Sequence, residues 1–411
     1  MVKVLRKVKE ASREIAMLSG DIKRKVLREM ADALIKESQT IIKENEKDLD
    51  YAQKNNLSSA LIDRLLLNEK RILSMADALR DIASLKNPVG KVIDGWVLDN
   101  GLKIEKVKIP IGVIGIIYES RPNVTSDAAG LCLMSGNACI LKGGKEAMHS
   151  NIAIINILQN VLEKNDLPKE IVSLLPDYSR EGVYKLIQED KYVDLIIPRG
   201  GEKLIKFVSE NSKVPVVKHD KGLCHIYIHE NADIDNAVEI SVNAKVQRPG
   251  VCNALETLLI DKNIAKTVLP LIKNQMQKEG VELRGCEKTL EIIDIDKANE
   301  EDWYTEYLDK ILSIKIVRDV NEAIEHIQKY GSGHSDSIIT QNYTVAEEFL
   351  NRVDSACVYV NASTRFTDGG EFGFGAEVGI STNKLHARGP MGIDDLTTYK
   401  YKIYGNGQVR E

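Results

Sequence analysis

Apolar residues in the first 86 positions recur at the spacing of one face of a helix. Val26, Met30 and Leu34 form one such series, separated by lysine, arginine and glutamate. This periodicity predicts amphipathic helices up to about residue 86. The Asn87-Pro88 pair predicts the end of the helical block, because the residue before a proline disfavours helix.

From about residue 108 the pattern changes to short apolar runs that alternate with amphipathic segments of helix length. The runs are IPIGVIGIIY, ACIL, IVSLL, VDLII, HIYI, TLLI, ILSIKIV, SIIT and CVYV. Strands that are apolar on both faces are typical of buried, mainly parallel sheets, so the fold class is predicted to be α/β. Ligands of such sheets bind at the carboxyl ends of strands, so we expect function in the loops that follow these runs.

Two segments alternate apolar and charged residues, as antiparallel strands with one solvated face do. One is residues 95–109, around an Asn100-Gly101 hairpin signal, and the other is residues 397–408. Both are predicted to lie apart from the main sheets. They could form an arm that pairs across a subunit interface, because exposed strand edges invite pairing.

Length and composition narrow the class of protein. A chain of 411 residues is too long for one ordinary core, so two large domains are expected. A net charge of -5 offers no global attraction to nucleic acid. The six cysteines have neither disulfide-framework nor zinc-ligand spacing, and the N-terminus lacks the apolar core of a signal peptide. The sequence therefore predicts a cytoplasmic protein that binds neither nucleic acid nor membranes and holds no metal.

Cys252 is the first candidate for chemistry. It lies in the turn VQRPGVCNALET, between a predicted helix (about 233–245) and a predicted strand (about 256–260). Backbone N–H groups in such a turn would stabilise a thiolate, which is the nucleophile that carries an acyl group as a thioester. Taken alone, the residue is more often a buried core cysteine.

Three further turns follow predicted strands. In YESRPNVT, Asn123 could donate its amide to a developing oxyanion, or Asn123 or Thr125 could simply cap a helix. In LKGGKEAMHSN, Lys142 and Lys145 could meet a phosphate or a ribose, although solvated lysines are the ordinary explanation. In IIPRGGEKLI, a pair of glycines opens a helix and could seat a pyrophosphate; these are Gly200 and Gly201.

Taken in order, these blocks resemble the aldehyde dehydrogenase superfamily. The resemblance extends from about residue 10 to 405 and is closest, through the block EVGISTNKLHARGPMG and those quoted above, to the branch that reduces an acyl phosphate of glutamate in proline biosynthesis. It implies a Rossmann-like cofactor-binding domain, an α/β catalytic domain and a small β arm for oligomerisation. The expected boundaries are 1–94, 110–226 and 355–380 for the first, 227–354 for the second, and 95–109 with 381–411 for the arm.

The resemblance also implies roles for single residues. Cys252 would be the nucleophile, and Asn123 would hold the oxyanion together with the backbone N–H of the cysteine. Glu306, in WYTEYLDKIL, matches the glutamate that holds the nicotinamide ribose. Arginine matches both a carboxylate and a phosphate, so Arg121 and Arg365 are candidate substrate anchors. Ser363 and Thr364 are candidate donors to the substrate carboxylate.

Two departures from the superfamily pattern are informative. Hydrolytic members carry a glutamate that activates water, whereas Lys218 stands near that position here, so the thioester should survive until phosphate exchange or reduction. The usual Lys-x-x-Glu turn binds the adenosine ribose. Here its last position is Lys145, which cannot accept a hydrogen bond but attracts a 2′-phosphate, so the cofactor is predicted to be NADPH/NADP+.

The resemblance thus implies NADPH-dependent reduction of L-glutamyl 5-phosphate to the 5-semialdehyde and phosphate, by a homo-oligomer. A transient association with glutamate 5-kinase, which would supply the unstable acyl phosphate, is left open. Two alternatives also stay open: a CoA-acylating or simple aldehyde dehydrogenase, and a non-catalytic nucleotide-binding protein of the same fold.

Overall fold

The structure is a computed structural model that describes residues 1–218 and 221–410. These residues divide into two compact units. The first unit contains residues 1–218, 373–379 and 391–410, and the second contains residues 221–372 and 380–390. In the described residues, no helix is long and apolar enough to cross a membrane.

The helices fall where the 3.6-residue periodicity predicts them, and the N-terminal block is helical throughout. They are α1 Val2–Ile15, α2 Gly20–Lys36, α3 Ser38–Lys54, α4 Ser59–Leu65, α5 Glu69–Ser84, α6 Asn123–Met134, α7 Met148–Lys164, α8 Arg180–Ile187, α9 Glu202–Asn211, α10 Ile234–Val246, α11 Ala265–Lys278, α12 Glu287–Leu290, α13 Val320–Tyr330 and α14 Tyr343–Arg352. On α2, the series Val26, Met30 and Leu34 is fully buried. The predicted helical block is confirmed.

Each apolar run listed above becomes a strand or ends in one. The strands are β1 Val92–Val97, β2 Lys103–Pro110, β3 Val113–Tyr118, β4 Ala138–Lys142, β5 Val172–Leu174, β6 Leu195–Arg199, β7 Cys224–Ile228, β8 Leu255–Asp261, β9 Glu282–Gly285, β10 Asp296–Lys297, β11 Ile311–Val317, β12 Ser335–Ile339, β13 Cys357–Val360, β14 Ile380–Ser381, β15 Gly389–Pro390 and β16 Thr397–Tyr404. The short strand β9 (ELRG) was not predicted, because its sequence is charged and carries no apolar run.

The first unit is built on a parallel sheet in the order β5-β4-β3-β6. In chain order this is the arrangement of the mononucleotide-binding half of a doubly wound fold. Every residue of β3 and β4 is buried, which explains why both strands are continuous apolar runs. The turns after β4, β3 and β6 therefore lie side by side at the carboxyl edge of the sheet.

The second unit is built on a parallel sheet in the order β10-β9-β11-β8-β7-β12-β13. The central strand β8 is buried at all of its positions. Leu258 and Ile260 from this strand pack in one core with Val268 and Leu269 of α11. This buried centre gives the loops at either edge of the sheet a rigid base.

The two alternating segments form the antiparallel sheet β1-β2-β16, as predicted. The Asn100-Gly101 hairpin connects β1 to β2, and Gly101 adopts a positive φ of 86° there. Tyr401 lies opposite Lys106 in the pairing of β16 with β2. We call this sheet the arm.

The two compact units do not follow the domain boundaries expected from sequence. Strand β13 was expected in the cofactor-binding domain, but it pairs with β12 and so lies in the second unit. Residues 380–390 were expected almost entirely in the arm, but they form the small pair β14 and β15 within the second unit. The apolar run CVYV predicts β13 correctly but does not specify the strand with which it pairs, and no strand was predicted within residues 380–390.

Candidate active site

Cys252 lies in the turn between α10 and β8, where the sequence predicts it. The turn is closed by the backbone N–H of Ala254, which donates to the carbonyl of Val251 at 3.0 Å. Cys252 is half-buried, whereas Cys132 and three further cysteines are buried. Cys286 is the second half-buried cysteine. The exposure of Cys252 is therefore that of a reachable thiol and does not fit a core cysteine.

Two neighbours fix the backbone of Cys252. A Cβ built on Gly222 would overlap the carbonyl oxygen of Cys252. Only glycine therefore allows these two segments of the backbone to approach each other this closely. The thiol of Cys224 donates to the same carbonyl at 3.2 Å. Burial raises the pKa of Cys224 well above its ordinary value, so this group stays a protonated donor.

Glu306 is brought to this turn through Gly222. One of its carboxylate oxygens accepts a hydrogen bond from the backbone N–H of Gly222 at 2.8 Å. Gly222, Cys252 and Glu306 shortly precede β7, β8 and β11, which are neighbours in the sheet. They therefore meet at the amino edge of this sheet, whereas the sequence predicts function in the loops that follow the strands.

Asn253 connects Cys252 to the segment predicted to bind substrate. The hydroxyl of Thr364 donates to the carbonyl of Asn253 at 2.8 Å, and the Arg365 guanidinium donates to the Asn253 side-chain oxygen. The Asn253 amide donates to the carbonyl of Thr367 at 2.8 Å. Sequence reasoning missed Asn253, although its position directly after the cysteine was a usable signal.

The chain can reach this place because it doubles back after β13. Asn361 adopts a positive φ of 54°, and the segment that follows returns along the sheet, where the Ser337 hydroxyl donates to the carbonyl of Ala362. Ser363 is buried, and its hydroxyl oxygen accepts the backbone N–H of Arg365 at 3.3 Å. The structure thus brings three of the four predicted substrate residues to the Cys252 turn.

The charge of Arg365 is placed among neutral amides. Its Nε donates to the side-chain oxygen of Gln247 at 2.9 Å, and its Nη1 donates to Asn253. Burial, and next the nearby Arg248, lower the pKa of Arg365, and the nearby carboxylate of Asp368 acts in the opposite direction. Because these two acceptors are neutral, they do not cancel the positive charge, and the group can still attract an anion.

Asn123 lies in the first unit as the first residue of α6, and it is exposed. Its amide nitrogen donates to a carboxylate oxygen of Asp127 at 3.0 Å. Neither Asn123 nor Thr125 caps the helix with its side chain, so the capping interpretation is wrong. Burial raises the pKa of Asp127 to about 6, against the hydrogen bond from Asn123, which lowers it.

The two predicted cofactor lysines follow β4. Lys142 is buried, and burial lowers its pKa, while the nearby Glu146, Glu119 and Asp177 raise it. Lys145 is exposed and opens a 3₁₀ segment. The next residue, Glu146, accepts hydrogen bonds from the backbone and the hydroxyl of Ser120, each at 2.7 Å.

The glycine pair opens α9, with Gly201 as its N-cap. The backbone N–H of Gly201 donates to the carboxylate of Glu119 at 3.0 Å. A Cβ on Gly200 would crowd that carboxylate. Arg121 lies exposed in the turn that follows Glu119. Sequence analysis identified the glycines but missed Glu119.

The aldehyde dehydrogenase family model matches residues 2–289. The chain belongs to the aldehyde dehydrogenase family. It is 83% identical over its full length to the full-length gamma-glutamyl phosphate reductase of Nautilia profundicola, and 68% identical to that of Nitratiruptor sp., with 99% of each chain covered.

Solved structures agree with this membership. The crystal structure of gamma-glutamyl phosphate reductase from Thermotoga maritima matches with a TM-score of 0.98 and 48% identity, covering 100% of this chain and 99% of that one. An acetylating aldehyde dehydrogenase from Geobacillus thermoglucosidasius matches with a TM-score of 0.70 and 19% identity, covering 100% and 97%, and shows the fold alone. The resemblance predicted from sequence is confirmed, and the chain is an oxidoreductase of this family.

Membership in this family implies the use of a nicotinamide cofactor. The carboxyl edge of the first-unit sheet fits the phosphates of such a dinucleotide, because Lys142 and Lys145 follow β4 there while Gly201 begins α9. The carboxylate of Glu119 now holds the N–H group that a phosphate would use. Lys142, Lys145 and Gly201 therefore fit the cofactor phosphates once the Glu119 carboxylate no longer accepts the N–H of Gly201.

Proposed function

We propose that this enzyme reduces L-glutamyl 5-phosphate to L-glutamate 5-semialdehyde and phosphate in proline biosynthesis, with NADPH as the reductant. The reaction is that named by the close relatives, at up to 83% identity over the whole chain. The observation that carries the mechanism is the half-buried thiol of Cys252 in a turn surrounded by Glu306, Asn253 and Arg365. This is the arrangement of a nucleophile beside groups that bind polar ligands.

The Cys252 thiolate attacks the acyl carbon of the substrate. The bond from this carbon to the phosphate oxygen breaks, phosphate leaves, and a thioester with Cys252 remains. When bound, NADPH supplies the hydride that reduces the thioester carbonyl. Cleavage of the carbon–sulfur bond then releases the semialdehyde and restores the thiolate.

The oxyanion formed at the acyl carbon needs hydrogen-bond donors. We assign this role to the Asn123 side-chain amide and to the backbone N–H of Cys252. One hydrogen of the Asn123 amide faces Asp127, and the other is available to a ligand. Asp127 thus orients the amide that Asn123 presents.

The remaining residues bind the two ligands. Lys142, Lys145, Gly200 and Gly201 are proposed to hold the cofactor phosphates, and Glu306 to hold a ribose. Arg365 and Arg121 are proposed to anchor the anionic groups of the substrate. In this structure the Thr364 hydroxyl supports Asn253, so Ser363 is the better placed of the two to donate to a carboxylate.

We propose that the arm joins subunits of a homo-oligomer. Its outer strands β1 and β16 expose large apolar side chains, including Trp96, Val97, Tyr401 and Ile403. Apolar surface rimmed by lysines is typical of an interface. Replacing Val97 or Ile403 with glutamate should lower the mass measured by light scattering. The predicted association with glutamate 5-kinase stays a prediction.

The decisive experiment is the reverse reaction. Glutamate 5-semialdehyde and NADP+ are mixed with phosphate, CoA or neither, and NAD+ is compared in parallel. The proposal expects NADPH formation only with phosphate. Reduction with CoA, or without any acceptor, would instead favour the acylating or the simple aldehyde dehydrogenase.

Variants at the two half-buried cysteines test the nucleophile. Cys252→Ala should abolish turnover while NADPH still binds, because the variant lacks the thiol that carries the acyl group. Cys286→Ala is the matched control and should keep wild-type turnover. Appreciable turnover in Cys252→Ala, or an acyl adduct trapped on another side chain, would refute the assignment.

A further inference from the structure

A fully buried ion pair brackets the Cys252 turn. Lys245 lies in the last turn of α10 and Glu256 lies in β8, so Cys252 and its turn form the connection between them. The Lys245 Nζ is 2.8 Å from a carboxylate oxygen of Glu256, and both side chains are completely buried. The pair therefore fixes the two ends of the turn relative to each other.

Glu256 also reaches the loop that carries Glu306. Its second carboxylate oxygen accepts the backbone N–H of Leu308 at 3.2 Å, and Leu308 adopts a positive φ of 53°. Glu306 in turn accepts the N–H of Gly222, which packs on the carbonyl of Cys252. These contacts close a ring around the nucleophile: Lys245, Glu256, the 306–308 loop, Gly222 and Cys252.

Stability alone does not call for this pair. Removing two charges from water is costly, and replacing a buried ion pair with apolar side chains of similar size is often neutral or stabilising. Burial raises the pKa of Glu256 to about 7 and lowers the pKa of Lys245, so each charge depends on its partner. What the pair supplies, and apolar residues would not, is a directional link from α10 through β8 to Leu308.

We propose that Lys245 and Glu256 are positioning residues that hold the Cys252 turn in a fixed position relative to the loop that carries Glu306. We call this pair the clamp. Neither residue touches the substrate. The expected loss of kcat rests on the proposed function of Cys252. The expected displacement of the turn, measured by alkylation of Cys252, does not.

The test replaces the clamp without leaving a buried charge. The double variant Lys245→Met/Glu256→Leu should fold with a thermal midpoint close to that of the wild type. Its kcat in the phosphate-dependent reaction should fall about ten- to hundredfold, because a displacement of about 1 Å at a reacting group has that effect. The KM for NADP+ should rise much less than kcat falls, by about two- to fivefold, since only the ribose contact of Glu306 lies in the clamped loop and the lysines and glycines of the first unit are unchanged.

A second measurement needs no substrate. The rate of alkylation of Cys252 by iodoacetamide is followed by peptide mass spectrometry, with Cys286 as the internal reference. The double variant should alkylate Cys252 at least about fivefold more slowly, because a displaced turn removes the thiol from the surroundings that favour the thiolate. The rate at Cys286 should not change.

Tyr227→Phe is the matched control. The Tyr227 hydroxyl donates to Asp261 at 3.0 Å, a buried polar contact at the far end of the same strand β8. This variant should lower the thermal midpoint and leave both kcat and Cys252 alkylation unchanged.

The proposal is overturned if the folded double variant keeps wild-type kcat and alkylation. Equal losses in Tyr227→Phe would also overturn it, as would failure of the double variant to fold, since the pair would then serve stability. If the wild type itself forms no NADPH with phosphate, the proposed function fails. The rate of Cys252 alkylation alone then tests the role of the clamp.

Discussion

The carboxylate of Glu119, in the turn after β3, accepts the backbone N–H of Gly201, in the turn after the adjacent strand β6, at 3.0 Å. In the order β5-β4-β3-β6, strands β4 and β5 follow on one side of β3, and β6 lies on its other side. The chain thus changes direction across the sheet between β3 and β6, and open α/β sheets bind ligands at such a point. An anionic side chain thus occupies the helix N-terminus that we assign to the cofactor. The cofactor must displace it.

Neutralising Glu119 should therefore strengthen cofactor binding. A carboxylate at a helix N-terminus contributes about 0.3–1 kcal/mol, so the Kd of NADPH for Glu119→Gln should be about two- to fivefold lower than that of the wild type. Fluorescence titration measures this. Glu210→Gln, in the last turn of the same helix, is the control and should have little effect. An unchanged or higher Kd for Glu119→Gln would show that Glu119 does not compete with the cofactor.

The preference for NADPH should depend on Lys145. Its exposed ammonium group follows β4, where a 2′-phosphate would gain a charge-assisted hydrogen bond. Lys145→Met should raise the Kd of NADPH at least about tenfold and leave that of NADH unchanged, since a lost hydrogen bond to a charged group costs about 1.5–3 kcal/mol. Lys164→Met, at the other end of α7, is the control. Equal weakening for both cofactors would assign the selectivity to another residue.

The sequence was sufficient for the long buried strands and for the positions of the turns that carry the candidate site residues. Continuous apolar runs predicted β3 and β8 because both strands are buried on both faces. The turn signals around Cys252 and Gly200 marked loops correctly because glycine and proline act locally. Those features depend on residues that are close in the chain.

What could not be predicted depends on long-range contacts. The sequence near Asn361 carries no pattern that predicts the reversal of the chain. This reversal brings Arg365 to Asn253. The pairing of β13 with β12 likewise places residues 357–360 in the second unit, against the expected boundary. Glu119 and Glu256 resemble ordinary charged residues in the sequence, and only the structure reveals the groups that they bind.

Arg365 should contribute to substrate binding more than to cofactor binding. The acceptors of its side-chain hydrogen bonds, Gln247 and Asn253, are neutral, so its charge is available to the carboxylate or phosphate of the substrate. Arg365→Met should raise the KM for glutamate 5-semialdehyde at least about tenfold and change the KM for NADP+ less than about twofold.

Arg388→Met provides the control for Arg365. The Arg388 guanidinium pairs with the carboxylate of Asp354 at 2.8 Å, so its charge is already balanced. Its replacement should leave the substrate KM near that of the wild type. If Arg365→Met raises the two KM values equally, Arg365 is not the anchor of the substrate.

Lys23 should make the stability of the first unit depend on pH. It is completely buried, and burial lowers its pKa to about 8 from an ordinary value near 10.5. Below pH 8 the folded chain carries this charge at a cost on the order of 3 kcal/mol, and between about pH 8 and 10.5 the unfolded chain binds the proton more strongly, so stability rises with pH in that window. Lys23→Met should therefore raise the thermal midpoint at pH 7, and the gain should shrink by pH 10. The exposed Lys25→Met, on the same helix, should change the midpoint little at either pH. A gain that is the same at both pH values would mean that the charge of Lys23 is not what destabilises the fold.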